Sequence, residues 1–229
     1  MGAVSLWYKW NWADARQELQ RAIEINPSEA GAYLDLGWLN AVAGDFDRGV
    51  DFVKKAVSLD PLNLEYNIDL ADIYRLSRNY EQARKIAGDM QKLYPDNSEV
   101  YWIRGMIEYS EGNGPEAVES FRESVRLSSG DSWSTMHLAM ALGAVGEQKE
   151  AESLLIKLEQ QPEIINGAML EMVPVYWNLN KKEQALQWLE KAFEWHANWM
   201  ISLKVGPEWD PLRNEPEFKS VLEAMNFPG

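Results

Sequence analysis

Three prolines set a ruler along this chain. Pro27, Pro61 and Pro95 stand 34 residues apart, and each closes an amphipathic run: "ARQELQRAIEINP", "GVDFVKKAVSLDP" and "ARKIAGDMQKLYP". A proline there stops a helix, because it offers no N–H and crowds the preceding turn. The Ser, Asn or Asp just beyond it, in "NPS", "DPLN" and "YPDNS", can cap the helix that follows. A second row keeps the same period: Gly49, Ala83, Ala117, Ala151 and Ala185. Small side chains at one position of every unit let two helices approach closely. A bulkier row, Val53, Ala87, Phe121, Leu155 and Leu189, fills the space behind them less regularly.

Two short helices per unit, each with one apolar stripe, cannot bury themselves alone. Stacking neighbours buries a continuous core, which predicts an all-α chain wound as an α-solenoid. The frame gives one domain over 1–229: a partial unit over 1–29, full units at 30–63, 64–97, 98–131, 132–165 and 166–199, and a tail over 200–229.

On that frame Tyr33, Leu36, Gly37 and Asn40 meet Asn67, Leu70, Ala71 and Tyr74 of the next unit, then Tyr101, Arg104, Gly105 and Glu108. This resembles the tetratricopeptide repeat, W-x2-L-G-x2-Y, then A-x3-F, then P. The resemblance runs from about residue 1 to about residue 199. It departs from the pattern where Ser129 replaces the proline, where Pro162 arrives one residue early, and where Pro174 falls inside a predicted helix that it should kink or shorten.

The ends depart from the pattern as well. Only "MGAVSLWYK" remains for the first helix of the partial unit, and Trp7, Tyr8, Trp10 and Trp12 stand where a polar cap is expected. Three readings stay open: packing between the first helices, excision from a longer chain with an output domain upstream of Met1, and pairing with a second copy as a homodimer. In the tail, Asn214 with Glu217 forms a capping pair for a final helix near 215–225. Phe218, Val221, Leu222 and Met225 would be its apolar face. "WDPLRNEPEFKSVL" resembles the segment that follows such repeats in bacterial multidomain regulators: winged-helix activators, nucleotide cyclases and protein kinases.

Composition narrows the function. With 22 basic and 36 acidic residues the formal charge is −14, and no basic stripe is present to meet nucleic-acid phosphates or an anionic membrane. The absence of cysteine excludes thiol catalysis and disulfide frameworks. No apolar run is long enough to span a bilayer. A cytoplasmic chain is expected, or a periplasmic one if it is the sensor half of a membrane-anchored regulator.

The resemblance implies that the first helix of each pair lines a concave binding surface. Carried onto this chain residue by residue, it assigns a partner-binding groove of Asp35, Trp38, Glu65, Asp69, Asp72, Trp102, Met106, Tyr109, Trp133, Met136, His137, Met140 and Trp177. Its N-terminal half is acidic, and the rest is aromatic with methionine as an adaptable floor. For Glu65, Asp69 and Asp72, a solvated helix face and a basic-ligand site are both open, and Asp72 can pair with Arg75. Glu99 can be spent on a cap with Asp96. The tryptophans lie off the register of the core. A carboxylate clamp is not expected, because the groove carries acids where that mode needs Lys, Arg and Asn.

No phosphate loop, nucleophile elbow or metal motif appears, and "EGNGPEA" reads as a turn between paired helices. His137 sits at a groove position, and His196 reads as a helix end. No enzyme, cofactor or metal is therefore expected. The leading reading is a scaffold that binds a protein or peptide with apolar and basic residues. The alternative is a ligand-sensing regulatory half, favoured by a deep closed pocket around Met136, His137, Met140 and Trp177. The third is a homo-oligomerisation module.

Overall fold

Helix–turn–helix pairs follow one another through the computed structural model, which describes residues 1–161 and 170–228. The pairs are α1 (Gly2–Trp7) with α2 (Trp12–Ile25), α3 (Ala30–Ala43) with α4 (Phe46–Leu59), and α5 (Leu64–Leu76) with α6 (Tyr80–Leu93). Then come α7 (Ser98–Glu111) with α8 (Gly114–Leu127), α9 (Ser132–Ala144) with α10 (Gln148–Glu159), and α11 (Met172–Asn178) with α12 (Lys182–Glu194). Two short 3-10 helices, Asn198–Ser202 and Pro207–Leu212, lead to the last helix, α13 (Pro216–Met225). The fold is the expected all-α solenoid. Pro162 lies outside the described residues. The helix that holds Pro174 is only seven residues long and keeps the proline buried in its first turn.

Six of the helix starts are side-chain capped. Asn11, Asp45, Asn63, Asn79, Asn97 and Asp131 each accept a backbone N–H of the following first turn, satisfying a donor the helix cannot satisfy itself. Two expected caps move by one residue. Asp96 forms the turn with Pro95, and Asn97 takes the N–H groups of Glu99 and Val100, so Glu99 is not needed in a capping pair. In the tail Asn214 belongs to a turn, and Glu215 precedes Pro216 at the first helical position, where its fixed φ suits helix entry.

The turn inside each pair has its own 34-residue rhythm. Trp10, Gly44, Arg78, Gly112, Gly146 and Asn180 all have positive φ, from 52° to 97°. The chain reverses there through a left-handed residue that closes the helix C-terminus. Between units, Ser129 and Gly130 are both left-handed, at φ 59° and 80°, and so replace the missing proline stop.

Packing follows the small-residue row. Ala83, Ala117, Ala151 and Ala185 are fully buried, and so are Val53 and Phe121 behind them. A Cβ on Gly37 would come 2.3 Å from Val53 Cγ2, and one on Gly49 would come 3.0 Å from the Gly37 carbonyl oxygen. Close approach of α3 and α4 is therefore a steric requirement. Each odd-numbered helix also touches the next odd one, from α1 to α11, which places these helices on the inside of the superhelical curve.

The tail returns through that inside. Ile201 is buried among the core residues of α1–α5, whereas Met200, Leu203, Trp209 and Leu212 are buried among those of the later helices. The two ends also meet. Trp12 Nε1 donates to the Met225 carbonyl oxygen over 3.2 Å, and its ring stacks on Phe227 at 5.3 Å. Trp10 stacks on Phe193 and on His196, at 5.5 and 4.1 Å, and His196 Nδ1 bonds the Tyr8 carbonyl oxygen over 2.9 Å. The N-terminal aromatic residues thus pack on this chain's own C-terminal segment.

Candidate functional site

The residues that the resemblance assigns to the groove stand on the odd-numbered helices. α3 contributes Asp35 and Trp38, α5 contributes Glu65, Asp69, Asp72 and Arg75, and α7 contributes Glu99, Trp102, Met106 and Tyr109. α9 contributes Trp133, Met136, His137 and Met140, and α11 contributes Trp177. Spacings of three and four residues bring those of one helix onto one face.

What the sequence did not indicate is the cover. The tail lies across this face and buries much of it. Trp38, Asp69, Asp72, Met106, Met136, His137 and Met140 are each 8% exposed or less. Glu65 remains exposed, and Asp35, Trp102, Trp133, Tyr109 and Trp177 are half-buried. Trp199 is the centre of the cover, with its ring 5.5 Å from Trp38, 5.4 Å from Trp7 and 6.3 Å from Trp133. Trp102 continues the chain of rings at 5.9 Å from Trp133. Edge-to-face pairs at these distances add about 0.5–1.5 kcal/mol each beyond simple burial.

Deeper in, charge fixes the tail. Arg75 donates through Nε to Asp72 Oδ1 over 2.6 Å and through Nη1 to Glu208 Oε2 over 2.7 Å, with all three side chains buried. Arg78 Nη2 donates to both carboxylate oxygens of Asp210, at 2.9 and 3.0 Å, on the surface. Lys204 donates to the carbonyl oxygens of Ala43 and Pro228, at 3.2 and 2.7 Å.

Two spaces lie along the inner face among the described residues. One is a narrow space of about 50 Å³ beside Met136, His137 and Met140, which Glu208 and Trp209 also line. It is large enough for a few waters. His137 holds the Trp133 carbonyl oxygen through Nδ1 at 2.9 Å, and burial pushes its pKa down to about 4, so the imidazole is neutral near pH 7. Burial also pushes the Glu171 carboxyl at this end up to about 7. Tyr109 and Trp177 line neither space. Tyr109 accepts a bond from Asn178 over 2.8 Å, and Trp177 packs on the core of the later units.

The other space is a pocket of about 540 Å³ at the mouth of the groove, between α1, α3, α5, α7, α9 and Trp199. Five carboxylates line it: Asp35, Glu65, Asp69, Asp72 and Glu99. Between them stand Trp7, Trp38, Trp102, Trp133 and Trp199, and among the described residues no basic side chain lines it. Indole N–H groups orient two of the acids, Trp7 Nε1 to Asp35 Oδ1 at 2.9 Å and Trp38 Nε1 to Asp69 Oδ1 at 3.0 Å. Burial raises the Asp35 carboxyl and pushes Asp69 well above the usual carboxylate range, where Asp72 adds repulsion. Trp102 Nε1 is buried beside this pocket without a hydrogen-bond partner among the described residues.

Sequence reasoning missed Trp7, Trp199 and Glu208 as parts of this surface. The "EWDP" of the tail motif was the available signal, since it holds Glu208 and the buried Trp209. Among the described residues no set of three or more His, Cys, Asp or Glu side chains is placed to hold a metal ion. No described helix is long and apolar enough to cross a membrane.

Three family models, each described as tetratricopeptide repeat, match residues 1–63, 41–105 and 175–198. A TPR repeat-containing protein of Methanocaldococcus jannaschii is 26% identical over 155 residues, 63% of this chain and 27% of that protein. The type IV pilus assembly protein PilF of Pseudomonas aeruginosa is 26% identical over 119 residues, 51% of this chain and 47% of its own length. The matches thus span about a quarter and about half of these relatives. Among solved structures, Pseudomonas aeruginosa PilF superposes with a TM-score of 0.57 at 18% identity, over 97% of this chain and 94% of that one. Yeast Tom70 does so with a TM-score of 0.60 at 15% identity, over 92% of this chain and 46% of that one. At these identities the superpositions establish the fold alone.

Proposed function

We propose that this chain, which is built from tetratricopeptide repeats, is a protein-interaction scaffold whose binding surface is the mouth of the groove. The partner segment carries basic and apolar residues together. One observation carries this reading: five carboxylates and five tryptophans share a pocket of about 540 Å³ that, among the described residues, no lysine, arginine or histidine lines. Aromatic rings supply large contact area at low entropic cost, and uncompensated acids select a basic partner and speed its encounter. The tail restricts the binding surface to this mouth, because it fills the groove over Met106, Met136 and Met140. The ligand-sensing alternative gains nothing from the narrow inner space, whose 50 Å³ accommodates water and not a metabolite.

A polarisation titration tests the reading. Labelled peptides that alternate Lys or Arg with Leu or Phe should bind, and the affinity should fall as salt is raised from 0.05 to 0.5 M. Charge-reversed peptides of the same apolar content should not bind. Equal affinity for both sets would remove the basis for a basic partner.

A further inference from the structure

We infer that the mouth pocket is a receptor for one organic ammonium head, seated among the tryptophan rings with Asp69 and Asp35 as its counter-charges. This deepens the proposal above and rests on its assignment of the mouth as the binding surface.

The argument starts from charge. Asp72 is matched by Arg75, but Arg75 is shared with Glu208, so one guanidinium already serves two buried carboxylates. Asp69, 8% exposed, forms no ion pair with any described residue, and its one side-chain hydrogen bond is the indole N–H of Trp38. Asp35 is half-buried, accepts the Trp7 indole N–H, and also feels the N-terminal ammonium. Burying a carboxylate without a cation is unfavourable by several kcal/mol unless something offsets it. Here both residues line the mouth pocket. Among the described residues no lysine, arginine or histidine side chain lines the pocket, and the positive charge that acts on Asp35 is the N-terminal ammonium.

The walls say what kind of cation fits. A small hydrated metal ion would want several oxygen ligands converging on one point, and no such set is present among the described residues. An organic ammonium instead takes its stabilisation from aromatic faces and a diffuse negative potential, and the attraction grows when the site excludes water. Trp7, Trp102, Trp133 and Trp199 keep part of their ring surface accessible around the pocket, while Trp38 forms its floor, 1% exposed. Trp7 and Trp38 turn their N–H edges to the two acids, which fixes ring and counter-charge together. The head can belong to a lysine side chain of the partner or to a free alkylammonium.

Tryptophan fluorescence of the full chain, titrated with tetramethylammonium chloride at ionic strength held constant with sodium chloride, tests the site. A saturable change is expected, at least tenfold weaker in Asp69→Asn and at least fivefold weaker in Trp133→Leu, with both variants shown to be folded by circular dichroism. Neopentyl alcohol, the neutral counterpart in shape, should give no saturable change. A linear response, equal affinity for the alcohol, or an unchanged Asp69→Asn would each overturn the inference. A third arm separates the sources and the readings. A Lys/Leu peptide and its norleucine version are compared on the parent chain and on Asp69→Asn. If the lysine peptide binds and Asp69→Asn does not weaken it, the ammonium site fails while the scaffold reading stands. If tetramethylammonium binds as described and no peptide does, the site stands for a free ammonium and the scaffold reading fails.

Discussion

Arg75 Nη1 on α5 donates to Glu208 Oε2 in the tail over 2.7 Å, a contact between residues 133 positions apart. It fastens the tail to the floor of the groove. Because Asp72 takes the other side of the same guanidinium, Arg75 neutralises one acid from the solenoid and shares itself with one from the tail. Arg75→Ala should therefore leave two buried carboxylates facing each other and lower stability by about 3–5 kcal/mol. Glu208→Gln keeps an acceptor for Arg75 and a neutral Arg75–Asp72 pair, so its effect should stay below about 1.5 kcal/mol. Urea unfolding curves give the two values, and equal losses would show that the triad does not act as described.

Ile201 tests the cover from its apolar side. It is fully buried against residues of the first units although it belongs to the tail. Ile201→Ala should cost about 2–4 kcal/mol through lost transfer energy and the cavity it leaves. A loss under about 0.5 kcal/mol in thermal or chemical unfolding would mean that the tail is not packed on the groove in solution.

Asp69 should oppose the fold as pH rises. Its folded carboxyl lies well above its ordinary value through burial and the repulsion of Asp72, Glu65 and Asp35, with the Trp38 bond acting the other way. The folded state therefore keeps this proton to higher pH than the unfolded state does. The stability from this group is fully present below the ordinary carboxylate range and is lost as pH rises through the raised value. Asp69→Asn keeps an acceptor for Trp38 and removes the charge. Its melting temperature should exceed the parent's by several degrees at pH 8 and converge with it near pH 3, roughly 2–4 °C per kcal/mol for a chain of this size. His137 works in the opposite sense. Its pKa is lowered to about 4, so its contribution is present above about 6.5 and is lost as pH falls through about 4.

The left-handed turn position gives a purely backbone test. Gly146 has φ +88° with nothing within 4 Å of an added Cβ, so Gly146→Ala should lower stability by about 1–2 kcal/mol through conformation alone. Asn180 at the equivalent place tolerates that conformation, and Asn180→Gly should stay within about 0.5 kcal/mol. Equal effects would remove the argument from φ.

Much of this was legible in the sequence because it is local and periodic. The prolines, the small-residue row and the 34-residue frame specify helix pairs, and the resemblance to the tetratricopeptide repeat then assigns Trp38, Asp69, Trp102 and Met136 to the inner face. The turn position was half-visible: glycine recurs at 44, 112 and 146, but Trp10, Arg78 and Asn180 conceal the shared positive φ. The cover was not legible. Contacts such as Trp199 with Trp38 and Arg75 with Glu208 join distant segments once each, and no period announces a contact made once. The tail motif indicated a final helix, but not that the residues before it would return through the groove.

The central claim is that acids at the mouth read basic residues of a partner, and a charge swap measures it most directly. Glu65 is exposed on the rim of the pocket, so Glu65→Lys should leave the fold intact. Isothermal titration of the parent and of Glu65→Lys against a Lys/Leu peptide and its Glu/Leu counterpart gives four affinities. The predicted result is at least tenfold weaker binding of the lysine peptide by the variant, partly restored with the glutamate peptide. Four indistinguishable affinities would contradict the account.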